Sequence, residues 1–185
     1  MGKFNIYLLM TSLFITTFFV SCEKKSSEDK IVGKWEYQMM LSKEDVRKLS
    51  EDPIPEGIEI EITGKGTSIY HKNKKYEGEG DMTMKIITSS EEISMDFYAK
   101  ETGDWNLQSD GKELVETTID GIFSPQNEMA KKFIKETPEF ADFVKPLKGS
   151  TAVSKIMSIS DRIIELKGKE MGIKIILSRI ENEEK

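Results

Sequence analysis

The stretch Ile58-Glu59-Ile60-Glu61-Ile62-Thr63 decides the fold class of this chain, because apolar and polar side chains alternate through it without a break. Alternation with a period of two predicts a β-strand that has one buried face and one solvated face. The next three residues, Gly64-Lys65-Gly66, predict a tight turn, after which residues 67–71 return as the partner strand. The segment therefore predicts antiparallel β-structure.

The same alternation continues along most of the chain beyond this segment. From Tyr76 onward the even positions are apolar or glycine, and Gly78 and Gly80 permit the sharp bend that a closed sheet requires. We count about eight to ten strands joined by short turns, which favours an antiparallel β-barrel. A sandwich of two sheets has the same periodicity, so the sequence leaves that alternative open. The other predicted strands are 31–41, 93–100, 105–107, 114–123, 152–159, 163–167 and 173–180.

Two segments interrupt the strand pattern with helical signals. Ser42-Lys43-Glu44-Asp45 opens like a capping box, which predicts a short helix after the first strand, ended by Pro53 and Pro55. Apolar residues recur at helical spacing within residues 125–147, including Met129 and Phe133. We therefore predict a helical insertion there, with Pro125 at its first position.

The amino-terminal segment predicts export. Lys3 supplies a basic start, and a mostly apolar run covers residues 4–20, which together predict a secretory signal peptide over residues 1–21. The run is also about long enough to be an uncleaved membrane anchor, which is the alternative. The only cysteine, Cys22, follows it directly.

The segment Phe19-Val20-Ser21-Cys22 resembles the bacterial lipobox, although Phe19 stands where leucine is usual. The resemblance implies that Cys22 carries a thioether-linked diacylglycerol and is acylated at its amino group after cleavage. It implies a lipoprotein of the bacterial cell envelope, anchored in the outer membrane on the periplasmic or the surface face. Residues 23–30 have no apolar side chain, so we predict that residues 22–30 are the lipidated cysteine and a flexible, solvated tether.

A second resemblance begins at Gly33-Lys34-Trp35. This looks like the Gly-x-Trp signature of lipocalins and of bacterial lipocalin-like lipoproteins, and Gly103-Asp104-Trp105 repeats it. The resemblance implies a lipocalin-like β-barrel over residues 31–181, followed by a charged tail at 182–185. It implies that Gly33 lets the chain turn into the barrel and that Trp35 plugs its closed end. Arg179 would then lie across the indole by a cation–π contact.

The sequence departs from that family in two places, and Trp35 has a simpler interpretation as an ordinary core aromatic. Lipocalins place their helix near the end, whereas the predicted insertion precedes the last three strands. The predicted helix after the first strand looks more like fatty-acid-binding barrels. Both departures leave the strand count and the openness of the interior undecided.

Composition excludes several function classes. The chain has 185 residues and a net charge of −6, which argues against nucleic acid as a partner because phosphate binding needs a basic face. One cysteine and one histidine exclude an internal disulfide and a cysteine-based zinc site, so no metal or cofactor is predicted. His71 lies in a lysine-rich turn, and carboxylates such as Glu59 and Glu77 alternate outward. We therefore predict no catalytic residues.

Soft, adaptable side chains suit an apolar pocket, although ordinary core packing explains them more readily. The residues predicted to line a cavity are Met82, Met84, Met95, Phe97 and Trp105. The sequence thus predicts non-covalent binding of a small apolar or amphipathic molecule by a protein attached to the membrane through Cys22. The alternative is a packed barrel whose surface docks an envelope protein or a polysaccharide.

Overall fold

The computed structural model describes residues 26–41, 45–46, 56–136, 148–170 and 172–181. Within these residues the chain forms eight strands and two helices with assigned bounds. The helices are α1 (Ser27–Ile31) and α2 (Glu128–Glu136). The strands are β1 (Gly33–Leu41), β2 (Glu59–Tyr70), β3 (Lys75–Ile87), β4 (Glu92–Gln108), β5 (Glu113–Pro125), β6 (Thr151–Ile159), β7 (Ile163–Gly168) and β8 (Lys174–Arg179).

All eight strands belong to one antiparallel sheet that is closed into a ring. Each strand pairs with its neighbours in the chain, and β8 pairs with β1, with Arg179 opposite Trp35. The predicted mainly-β, antiparallel class is therefore confirmed, and the eight strands of the ring agree with the predicted number. In the part of the chain that the structure describes, no helix is long and apolar enough to cross a membrane.

The predicted turn at residues 64–66 is wrong, because β2 runs straight through both glycines. Gly66 lies opposite Gly80 of β3, and a Cβ atom on Gly66 would collide with the backbone of Glu79 and Gly80 and with the ring of Tyr37. These glycines serve the close approach of two strands to an inward-pointing tyrosine. A glycine pair in an alternating run thus marked a curved strand, which the sequence alone did not separate from a hairpin.

The ring has a core cluster at the end where β1 begins. Trp35, Tyr70, Tyr76 and Trp105 are buried there, because alternate residues of each strand point inward. The aliphatic members of this cluster are Ile31, Leu114, Ile164, Leu166 and Leu177. The aromatic side chains, with the aliphatic side chains packed between them, fill this end of the ring.

Helix α1 occupies residues that the sequence assigned to the flexible tether. Ser26 caps it: its hydroxyl accepts a hydrogen bond from the Asp29 amide, and the Asp29 carboxylate accepts from the Ser26 amide. Glu28 forms an ion pair with Lys74, and Ile31 is fully buried in the ring. Regular structure is therefore already present at the Ser26 cap, ahead of the predicted domain start at Ile31.

Helix α2 begins at Glu128, three residues later than the predicted start at Pro125, which ends β5 instead. The Asn127 side chain accepts a hydrogen bond from the Ala130 amide at 2.8 Å and donates to Asp96 of β4 at 2.7 Å. The amide side chain thus sets both the helix start and its position on the sheet.

The apolar side of α2 packs against inward-facing side chains of β3 and β4. Ala130 is buried against Met84, Met95 and Phe97, with Phe133 alongside, whereas Met129 is exposed. The remainder of the predicted insertion, residues 137–147, lies outside the described residues. So does most of the predicted helix after β1, of which Asp45 and Val46 are described and helical.

Candidate functional site

The residues that the Gly-x-Trp resemblance singled out meet at one end of the ring. Trp35 is fully buried, and its indole N–H donates to the Ile31 carbonyl at 2.7 Å. The guanidinium carbon of Arg179 lies 4.2 Å from the centre of the indole. At Gly33, where φ is 143°, a Cβ atom would collide with that guanidinium. Glycine, indole and guanidinium thus form one stacked unit.

Arg179 also fastens the entry segment to the end of the ring. Its guanidinium donates hydrogen bonds to the carbonyls of Lys30 and Val32 on the approach to β1 and to that of Asp161 before β7. A guanidinium is suited to this, because its planar fork of donors stays charged and can stack at the same time. This end is therefore a structural closure.

Trp105 belongs to the same end rather than to the methionines. Its indole N–H donates to the His71 carbonyl at 3.0 Å, and the ammonium of Lys74 lies 4.3 Å from its ring centre. Tyr70 meets it edge-on, with ring centres 5.9 Å apart. The second Gly-x-Trp motif thus builds the closure together with the first.

Of the methionines and aromatic residues predicted to line a cavity, Met82 does so. Met84, Met95 and Phe97 are buried beneath α2, where Phe97 stacks on Phe123 with ring centres 5.0 Å apart. These side chains pack because the helix covers them, a contact that strand periodicity does not reveal. The ordinary core interpretation applies to them.

Between the two core clusters lies a cavity of about 210 Å³ that is partly open to solvent. Side chains from both clusters reach it, including Tyr70 from the closed end and Phe123 from the α2 end. The side chains and glycines that line it are Tyr37, Met39, Ser68, Tyr70, Gly78, Glu79, Gly80, Asp81, Met82, Ala99, Glu101, Glu116, Phe123, Leu166, Ile175 and Leu177. Seven of the eight strands contribute to this lining.

Two glutamates inside the ring take part in hydrogen bonds with buried hydroxyl groups. The Tyr70 hydroxyl donates to Glu116 Oε1 at 2.8 Å. The Thr118 hydroxyl donates to Glu101 Oε2 at 2.9 Å and lies 2.9 Å from the Tyr76 hydroxyl, which can then donate to it. Each carboxylate thus accepts a hydrogen bond from a hydroxyl group inside the ring, which offsets part of the cost of removing its charge from water.

The surroundings of Glu116, Tyr70 and Tyr37 shift the pKa values of these three groups strongly. Burial, together with the nearby negative charge of Glu101, raises the pKa of Glu116 to about 7, against a lowering by the Tyr70 hydrogen bond. Burial and then the charge of Glu116 raise the pKa of Tyr70 well above its usual value. Burial and the charge of Glu101 raise the pKa of Tyr37 to about 12. The tyrosines therefore stay neutral donors at physiological pH.

Glycines make the space for this polar wall. A Cβ atom on Gly80 would collide with the Tyr37 hydroxyl, and one on Gly78 would lie 3.6 Å from Glu101 Oε1. The inward glycines predicted to bend β3 therefore also leave room for the phenol and the carboxylate.

Sequence reasoning missed Glu101 and Glu116, although the signal was present in the alternation. Glu101 shares its parity with Phe97 and Trp105 in β4, and Glu116 shares its parity with Leu114 in β5. Polar residues at inward positions of a strand are the exception that marks a site. They were overlooked because the acidic residues of β2 and β3 alternate outward.

Within the described residues, no group of three or more acidic, histidine or cysteine side chains is arranged to hold a metal ion. Cys22 lies outside the described residues. Comparison with models of known protein families gives no match for this chain. Comparison with curated proteins gives none either.

Proposed function

We propose that this protein is an envelope-anchored lipoprotein whose lipocalin-like ring binds a small amphipathic molecule without a covalent bond. The observation that carries the proposal is the interior cavity of about 210 Å³, which has aromatic and aliphatic walls and two inward carboxylates. Ligand sites are concave and largely apolar, with a few fixed polar groups, and this combination is what the interior offers.

The size of the cavity limits the ligand. Sites for drug-sized molecules measure roughly 300–1,000 Å³, and a cavity of about 150 Å³ holds one benzene molecule. A space of about 210 Å³ therefore fits a single ring or a short chain with one substituent. A long acyl chain exceeds it.

The polarity of the cavity favours an amphipathic ligand over a purely apolar one. A hydrocarbon in contact with Glu116 would remove water from the carboxylate without replacing its hydrogen bonds, which costs roughly 2–7 kcal/mol for an unpaired polar group. A ligand with one polar end meets Glu101 or Glu116 and presents its apolar part to Met82 and Phe123.

Anchoring rests on the residues around Cys22, where the Phe19-Val20-Ser21-Cys22 segment resembles the lipobox. Several acyl chains hold a protein at a membrane where one chain binds only marginally. The proposed place of the protein is the outer membrane of the bacterial envelope, on its periplasmic or surface face.

Native mass spectrometry of residues 23–185, purified without detergent, tests the binding function. These residues contain every described strand and helix, and the ring closes through β1 and β8. We expect an adduct of defined mass that is lost on denaturation. Ala99→Leu adds a larger side chain to the cavity wall and should abolish the adduct. Ala152→Leu makes the same change at an exposed position of β6, and this control variant should keep the adduct. An adduct that survives Ala99→Leu contradicts the interior site.

A second candidate function is docking through the outer wall. A depression of about 560 Å³ is lined mostly by outward residues of β1, β2, β3 and β8, among which Met40 and Ile176 are exposed apolar side chains. This candidate predicts that Ile176→Lys weakens cosedimentation of the protein with isolated cell-envelope fragments and that Ala99→Leu does not. A clean mass without an adduct in the first experiment shifts support to this candidate.

A further inference from the structure

The charge of the cavity wall is one-sided. The lining includes Glu101 and Glu116 inside the ring and Glu79 and Asp81 at the outer side of β3. Among the described residues that line it, there is no lysine, arginine or histidine to balance them. Glu79 has Lys100 and the Tyr98 hydroxyl on the outer surface. Asp81 has the same outward parity in β3 as Glu79, so the negative charge inside the ring comes from Glu101 and Glu116.

Hydrogen bonds from neutral hydroxyls hold the interior carboxylates without neutralising them. Glu116 accepts a hydrogen bond from the Tyr70 hydroxyl, and Glu101 accepts one from the Thr118 hydroxyl. A desolvated carboxylate gains further from an opposite charge, because two unit charges attract each other more strongly in a medium of low dielectric constant than in water. Within the described part of the chain, the cavity wall places two acceptors in one cavity and no cationic side chain beside them.

The class of ligand inferred for this cavity rests on the proposed ligand-binding function. We infer that the interior cavity takes a small organic cation, an amine with one aromatic or short aliphatic group, whose positive charge is held by the carboxylates of Glu116 and Glu101. Such a ligand supplies the charge that the wall lacks. A neutral or anionic molecule of the same size does not.

The rest of the wall suits the same ligand class. Tyr37 and Tyr70 present aromatic rings beside the carboxylates, and a cation near a ring gains about 0.5–2 kcal/mol. Met82 and Phe123 lie on the side toward α2, where the apolar part of the ligand meets them. The cavity therefore has an anionic, aromatic region and an apolar region within one small volume.

Burial makes Glu116 responsive to such a ligand. Its pKa, raised to about 7 by desolvation first and by Glu101 second, keeps a part of the population protonated near neutral pH. An ammonium group in contact with it favours the ionised carboxylate. Binding of the cation therefore releases protons from the empty, partly protonated form.

Isothermal titration calorimetry with residues 23–185 tests the inference, with benzylammonium chloride as the probe and benzyl alcohol as its neutral analogue. Both carry one benzene ring and one short polar arm, and they differ chiefly in charge. We expect benzylammonium to bind at least tenfold more tightly than benzyl alcohol at pH 8. Sodium benzoate, the anionic analogue, should show no binding.

Three variants locate the interaction. Glu116→Gln and Glu101→Gln should each weaken benzylammonium at least fivefold and weaken benzyl alcohol much less, since the glutamine oxygen still accepts a hydrogen bond from the alcohol. Glu165→Gln removes the same charge from the exposed face of β7 and should change neither affinity. Circular dichroism of each variant verifies that the ring is intact, and Glu101→Gln gives an independent reading if Glu116→Gln fails to fold.

The outcomes separate this inference from the function on which it rests. Equal affinities for benzylammonium and benzyl alcohol overturn the cation preference and leave the ligand cavity in place. Absence of benzylammonium binding also overturns it, and the adduct in native mass spectrometry then decides the fate of the binding function by itself. Loss of binding in Glu165→Gln equal to that in Glu116→Gln would show that general surface charge is responsible.

Discussion

Glu116 is a carboxylate inside a β-ring, where an apolar side chain would cost less. Its hydrogen bond with Tyr70 and its place on the cavity wall give it two neighbours of different kinds, a fixed donor and an open space. Glu116 lies two residues after Leu114 in β5 and therefore points inward on the same face, although its side chain is acidic and that of Leu114 is apolar. A single polar residue at such a position was readable from the sequence, but its partner from β2 was not, because strand order is a property of the closed ring.

The first prediction concerns the pH dependence of stability. The pKa of Glu116 rises on folding from its usual value of 4.5 to about 7, so the folded state binds more protons over that range and stability falls as the pH rises through it. At about 1.4 kcal/mol per pKa unit, the loss is on the order of 3 kcal/mol. The charged and titratable groups that face Glu116 are Tyr70 of β2, Tyr76 of β3 and Glu101 of β4.

Urea denaturation of the wild type and of Glu116→Gln at pH 5 and pH 8 measures this effect. The free energy of unfolding of the wild type should fall between the two pH values relative to that of the glutamine variant. Parallel pH profiles for the two proteins would refute the raised pKa.

The second prediction concerns Trp35, whose indole is enclosed by Arg179 and bonded to the Ile31 carbonyl. Truncation leaves a large void and an unstacked guanidinium, so Trp35→Ala should lower the free energy of unfolding by about 3–5 kcal/mol. Chemical denaturation followed by far-ultraviolet circular dichroism checks it. An unchanged midpoint of denaturation would show that the indole is not a buried plug.

Among the elements, β2 and β3 show where periodicity helps and where it misleads. Alternation predicted β3 and its inward face correctly, including Tyr76 and the glycines, and it predicted the first part of β2. It failed at residues 64–66, because glycine serves both turns and close strand contacts and the sequence does not show the Tyr37 ring that needs the space. Helix α1 was missed for a related reason: a short polar segment becomes helical here through the Ser26 cap and its contacts with the end of the ring.

A third prediction follows from the Gly66–Gly80 pair of β2 and β3. Gly66→Ala inserts a methyl group against the backbone of β3 and the Tyr37 ring, and overpacking of this kind costs about 1–3 kcal/mol. Gly168→Ala in β7 is the matched control, since its added atom lies at 3.7 Å or more from its neighbours. Thermal denaturation should show a lower midpoint for the first variant and no loss for the second. Equal midpoints would contradict the close contact.

On the scale of the whole molecule, the ring has two packed clusters with a small, mainly apolar cavity between them, and two carboxylates point into that cavity. The sequence predicted the class of sheet and the position of the last strands, but it assigned Trp105 to the cavity rather than to the closed end. It did not predict which methionines would reach the cavity, because the packing of α2 on Met84, Met95 and Phe97 depends on contacts between distant segments. Inward residues of a single strand therefore lie in the closed end, in the core beneath α2 or on the cavity wall, depending on which other strands and helices they contact.

The fourth prediction concerns attachment to the envelope. Cys22→Ser removes the thiol to which the proposed diacylglycerol is linked, so the variant should remain an uncleaved or mis-sorted precursor. Metabolic labelling with a radioactive fatty acid, followed by fractionation, measures this. Label in the wild type and none in the variant supports lipidation at Cys22, whereas label in both proteins contradicts it.

Helix α1 has a geometric consequence for a lipid-anchored form of the protein. Four backbone steps separate Cys22 from the Ser26 cap, and an extended chain advances at most about 3.6 Å per residue, so the standoff is about 14 Å or less. Glu28 and the carbonyls of Lys30 and Val32 tie the following residues to the Trp35 end. That end would therefore rest near the headgroups with little freedom to tumble, and the α2 end would face the aqueous phase.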